Sequence, residues 1–130
     1  SDLDGEIDAG VVTEKDLDDP RLASLIPEPK SAIADWQAKY GAVHINHMAV
    51  VKASLSAERP DVVRELHRLL KESKAAAGLP QPGTTDLLPY GVENNRRNLE
   101  LLIQYSVEQG LIPAAVSVDS LFDATTAALL

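Results

Sequence analysis

The sequence predicts an α/β fold rich in helix, and three observations predict it. Two stretches, Pro60 to Ala77 and Glu93 to Gln109, repeat apolar residues at three- and four-residue spacing, and each is followed by glycine. The run Val43 to Val51, Val-His-Ile-Asn-His-Met-Ala-Val-Val, is mostly apolar and β-branched toward its end, the pattern of a buried strand. Strands are nevertheless too few for a complete doubly wound sheet, which alternates strand and helix many times. The chain opens abruptly in Ser-Asp-Leu-Asp-Gly-Glu-Ile-Asp, so it is expected to be the C-terminal portion of a larger α/β protein. Residues 1–130 form a single partial domain in this reading: 1–28 an acidic lead-in and connector, 29–130 helices around a short buried sheet.

Element by element, Gly5-Glu6-Ile7-Asp8-Ala9 is expected to turn into a short strand at Gly10 to Thr13. Pro20, Pro27 and Pro29 punctuate a connector, and Pro29 opens a helix that runs to Tyr40, where Gly41 stops it. Ile33, Trp36 and Tyr40 share one face of that helix. After the strand at 43–51, Ser56 is expected to cap a helix over 57–77, with Pro60 at the head of its main run. Val62, Val63, Leu66, Leu69 and Leu70 make its apolar stripe. The loop 79–85 carries Pro80, Pro82 and Gly83. A second strong helix spans 93–109, with Leu99, Leu102, Ile103 and Ser106/Val107 on its inner side. Ser117 caps a short last helix anchored by Leu121 and Phe122.

The composition excludes several function classes. A chain of 130 residues holds one small domain. No apolar stretch approaches the ~20 residues that span a bilayer, and the acidic start offers no basic leader region. Cysteine is absent, which removes disulfides, thiol nucleophiles and thiolate metal sites. Five aromatic residues are too few for a base-stacking surface, so no nucleic acid is expected as partner. The net charge of −8 is concentrated in the first twenty residues, where eight acids face Lys15 alone. Those acids lack the Gly and terminal Glu of a calcium loop, and no metal is assigned to them.

Several motifs resemble one family. Gly5-Glu6-Ile7-Asp8-Ala9, Asp19-Pro20-Arg21, Ile45-Asn46-His47-Met48 and above all Pro89-Tyr90-Gly91-Val92-Glu93 with Asn95-Arg96 resemble the C-terminal part of the 4,5-dihydroxyphthalate decarboxylase family. Glu108-Gln109-Gly110-Leu111 and Ser117 to Phe122 extend the likeness over nearly the whole chain. Val43-His44 departs from the apolar-aromatic and Pro positions usual before Ile-Asn-His, and Asn94 stands where Pro is common. The resemblance implies a type II periplasmic-binding-protein-like fold, in which two α/β lobes enclose a ligand and this chain supplies the end of one lobe. It also implies a missing N-terminal lobe as partner, a small anionic aromatic substrate, no cofactor and room for a homo-oligomer. A decarboxylase is expected in the cytoplasm. A solute-binding component of an ABC-type transporter, the alternative reading, is expected in the periplasm or anchored as a lipoprotein.

Loss of CO2 from an ortho-dihydroxylated aromatic diacid needs a proton donor at the ring carbon and clamps for carboxylates. His47 suits the acid, because imidazole titrates near neutral pH, and Arg96 suits the clamp, because a guanidinium matches a carboxylate with two parallel bonds. Asn46 and Tyr90 are candidates for binding hydroxyls, Asn95 for binding substrate, and Glu93 for orienting His47 or accepting a phenol proton. Each has a structural rival: His47 as a hydrogen-bonded core histidine, Glu93 and Asn95 as residues of a helix start, Tyr90 as loop packing. Arg96 is harder to explain that way, since a cation in a first helical turn opposes the dipole unless it meets an anion. His44 and His67 are read as surface or helix-face residues.

Overall fold

The computed structural model describes residues 8–12, 15 and 18–130. Its elements are α1 (Pro29–Tyr40), α2 (Ala53–Glu58), α3 (Pro60–Ala76), α4 (Val92–Glu108), a 3₁₀ helix (Val118–Leu121) and α5 (Ala124–Ala127). The chain divides into two compact units, Ser1–Tyr40 and Gly41–Leu130.

In the first unit, α1 starts at Pro29, whose fixed φ and missing N–H suit a first helical position. Trp36 and Tyr40 meet along one side with ring centroids 5.1 Å apart, and Lys39 Nζ lies 5.0 Å from the Tyr40 ring. No residue of α1 is buried. The turn expected at Gly5 to Ala9 lies mostly outside the described residues. So does Thr13 of the strand expected at 10–13, and Gly10, Val11 and Val12 have no regular structure.

The second unit is built on α4. Leu99, Ile103 and Val118 form its core, with Ile45, Val92, Ile112 and Phe122 packed against them. Solvent meets α4 along a stripe of Glu93, Arg97, Glu100, Gln104 and Glu108, spaced by three and four residues. Asn98, Leu99, Leu101 and Ile103 are buried on the remainder. The 3₁₀ helix packs on α4 and is capped by Ser117, whose Oγ accepts the Ser120 amide proton at 3.2 Å, as the sequence predicts.

Helices α2, α3 and α5 make a second cluster. Pro60 heads α3, and the ion pairs of Arg68 with Glu65 (2.6 Å) and with Glu72 brace its outer side. The expected cap at Ser56 is corrected. Ser56 lies inside α2 and is buried, and the residue before Pro60 is Arg59, which makes no side-chain cap. The Ser56 hydroxyl faces the Asp123 carboxylate instead, without forming a bond of regular geometry. Asp123 caps α5 by accepting the Thr126 amide proton at 2.8 Å, while its own N–H donates to Thr126 Oγ1.

Two further expectations are corrected. Residues 43–51 form neither a strand nor a buried segment: from Asn46 to Val50 every residue is exposed, and no strand occurs among the described residues. A strand is held by hydrogen bonds to a neighbour, and the run has no neighbouring strand to pair with. The α3 stripe, expected to be core, buries only Val63, while Val62, Leu66, Leu69 and Leu70 stay 37–49% exposed. A 3.6-residue period records which face seeks cover, not whether this chain provides it.

Candidate functional site

The Pro89–Arg96 motif folds as one hydrogen-bonded turn into α4. Gly91 precedes the helix with φ +88°, a left-handed angle that favours glycine, while a Cβ there would make only ordinary contacts, 3.6 Å from Leu129 O and Leu130 Cα. Asn94 Nδ2 donates to Tyr90 O at 2.7 Å, and Asn95 Nδ2 donates to Pro89 O at 2.6 Å and Gly91 O at 3.0 Å. Asn98 Nδ2 donates to Asn95 Oδ1 at 3.2 Å, and Asn98 Oδ1 accepts the Val43 amide proton at 2.9 Å. Side chains on successive turns of α4 thus satisfy the loop before it and the chain beside it.

Lys74 holds the loop from the other side. The ammonium of its largely buried side chain donates to both oxygens of Asp86, at 2.7 and 2.6 Å, and to Leu88 O at 2.6 Å. It also lies 5.3 Å from the centroid of the Tyr90 ring, an arrangement favoured by the ring's quadrupole. Tyr90 meets the His67 ring edge-on, with centroids 5.3 Å apart. Burial, with the Lys71 charge second, holds the His67 imidazole below its usual pKa.

Arg96 occupies the first turn of α4 between two carboxylates. Its Nε and Nη2 donate to Glu93 at 3.0 and 2.5 Å, and Nη2 also donates to Asp119 of the 3₁₀ helix at 2.8 Å. The anion that a guanidinium here requires is therefore supplied by the chain itself, and Arg96 holds the Glu93 carboxyl below the ordinary carboxylate range. Arg96 stands at the edge of an open groove of about 610 Å³ between α4 and residues 115–119, whose apolar wall includes Ile103, Val107, Val116 and Val118.

Of the residues singled out from the sequence, Tyr90, Glu93, Asn95 and Arg96 are brought together at the start of α4. Both amide hydrogens of Asn95 are committed to loop carbonyls, and Glu93 pairs with Arg96 and not with His47. Asn46 and His47 are exposed on the irregular run after Ile45. Sequence reasoning missed Asp119, Lys74 and Asn98 as partners of this site. Asp119 lies within the Ser117–Phe122 motif, but nothing in spacing alone joins it to Arg96 on another helix. Among the described residues no group of three His, Asp or Glu is placed to hold a metal ion, and no helix is long and apolar enough to cross a membrane.

Comparison with known proteins returned no matching family model, no matching curated protein and no matching solved structure.

Proposed function

We propose that the chain is the C-terminal part of a decarboxylase of the 4,5-dihydroxyphthalate type, with a type II periplasmic-binding-protein-like fold completed by an N-terminal lobe. The reading rests on the motif resemblance. The observation that supports it is the Arg96 guanidinium, set by a hydrogen-bonded turn at the edge of a groove and already engaged with carboxylates. In this reading an aromatic dicarboxylate replaces Asp119 on Arg96, His47 donates the proton to the ring carbon, and Asn46 and Tyr90 bind the ring hydroxyls. Glu93 keeps Arg96 in place, and Asn95 shapes the loop. The enzyme would act in the cytoplasm and need no cofactor.

A specific observation favours a second reading. His47 is exposed on an irregular segment, and Glu93, its expected orienting partner, is engaged by Arg96 instead. The same anion-holding turn would serve a solute-binding component of a transporter, exported from the cytoplasm, that binds without turnover.

The two readings are separated in the protein that contains both lobes. A decarboxylase releases CO2 from 4,5-dihydroxyphthalate, and His47→Gln lowers turnover by about 10²–10⁴-fold while sparing binding. Arg96→Lys weakens binding in either case, because an ammonium cannot reproduce two parallel hydrogen bonds. Binding without CO2 release establishes the transport reading. Absence of both discards the pair.

A further inference from the structure

We infer that the groove between α4 and residues 115–119 binds a linear aliphatic diamine, with its two ammonium groups on Glu100 and Glu108 and its methylene chain on the apolar wall between them. The inference does not depend on the decarboxylase reading, which needs an anion on Arg96. The groove is apolar on both sides: Ile103 and Val107 line it from α4, Val116 and Val118 from the facing segment. No aromatic ring lines it, so it offers no cage for a quaternary cation and suits a slender aliphatic chain.

The charges at the rim select the sign of the ligand. Arg96 is the one basic residue among the described residues of the lining, and Glu93 and Asp119 already meet it at 2.5 and 2.8 Å. Glu100 pairs with Arg97 at 3.5 Å, with both side chains about half exposed, a contact that solvent screens. Glu108 accepts a hydrogen bond at 2.7 Å from Gln104, which is neutral. It also closes the last turn of α4, where no basic residue stands, so its charge adds to the negative end of the helix dipole. Arg96 opposes the dipole at the other end and is met by two carboxylates; Glu108 is its mirror image, and a cation is what complements it.

Spacing then fixes the shape of the ligand. Glu100, Gln104 and Glu108 follow one another at four-residue intervals, so they share a side of the helix, and the two carboxylates stand about 12 Å apart along its axis. One ammonium group cannot bridge that distance, whereas two joined by an octamethylene chain can. Ile103 and Val107, each one residue before a polar neighbour of that row, lie beside the chain. A primary ammonium donates charge-assisted hydrogen bonds to each carboxylate.

The test is an NMR chemical-shift titration of the whole chain with 1,8-diaminooctane, and with three ligands that each change one property. Octane-1,8-diol has no charge, octanedioate has the opposite charge, and 1,4-diaminobutane is too short to reach both carboxylates. The diamine at about millimolar concentration should shift the amides of Ile103 to Glu108 and Ala115 to Asp119 saturably, and added salt should weaken it. Glu100→Gln and Glu108→Gln should each weaken binding by about two- to fivefold. Glu58→Gln, which removes the same charge from an exposed position of α2, should leave it unchanged. Spectra of the free variants that match the wild type outside the groove confirm that they are folded. No saturable shift, an equal response to the diol or to diaminobutane, or equal weakening by Glu58→Gln overturns the proposal, the last because it marks general attraction to an acidic chain. Tighter binding of octanedioate overturns it too, and supports an anion site at Arg96 instead.

Discussion

Asn98 Oδ1 accepts the amide proton of Val43 at 2.9 Å across a separation of 55 residues. That bond ties the beginning of the second unit to the middle of α4, and the other end of the same amide supports Asn95, which holds the loop before the helix. Replacing Asn98 by leucine keeps the volume and removes both roles. The expected cost is about 1–3 kcal/mol, because a backbone N–H and an amide oxygen lose their partners in a site where Asn98 is buried. Urea unfolding of the variant measures it, and a shift of midpoint within error would show that water replaces the asparagine.

Cavity formation should separate the core from the uncovered stripe. Leu99 is fully buried, so Leu99→Ala is expected to cost about 2–5 kcal/mol. Leu66, 42% exposed on α3, should change stability by no more than about 0.5 kcal/mol as Leu66→Ala. Equal losses at the two positions would mean that the α3 stripe is covered in solution.

Lys74→Met keeps the apolar stem and removes every donor to Asp86 and Leu88. Amides from Asp86 to Gly91 should then exchange faster while those of Ile103 to Val107 keep their rates, since the knot secures the loop and not the helix. Uniform acceleration along α4 would show that the loop and helix open together.

Acid should weaken the contact between α5 and its neighbours. The Asp123 carboxyl is held down to about 2, first by the Ser56 hydroxyl and then by the Thr126 amide and side chain. An unfolded aspartate titrates near ~3.9, so the folded pKa is the lower one. Its stabilising contribution is complete above that value and is lost as pH falls from about 4 toward 2. Thermal unfolding from pH 5 to pH 2 should therefore show a smaller loss of Tm for Asp123→Asn than for the wild type, starting from a lower Tm at neutral pH.

Helices were legible in the sequence where the signal is local. Pro29 and Gly41 bracket α1, the leucine spacing and glycine stop mark the long α3, and the span 93–109 read from apolar spacing and Gly110 falls within one residue of α4 at each end. Val43–Val51 misled because β-branched composition expresses a preference for pairing, while pairing itself depends on a second segment. Ser56 misled for a related reason: a serine three residues before a charged side chain fits a cap, but a buried hydroxyl facing Asp123 fits equally well, and sequence does not weigh tertiary burial. At the site, Tyr90 to Arg96 were legible as a cluster because they are contiguous. The pairing of Arg96 with Asp119, 23 residues on, arises from how the 3₁₀ helix packs on α4 and leaves no periodic trace.

The knot at Lys74 also sets a chemical reactivity. Its side chain is only 12% exposed and its amine donates three hydrogen bonds, so acylating or alkylating reagents must wait for the loop to lift before they meet a free nitrogen. Labelling kinetics at this one nitrogen would therefore serve as a clock for opening of the loop that carries Tyr90.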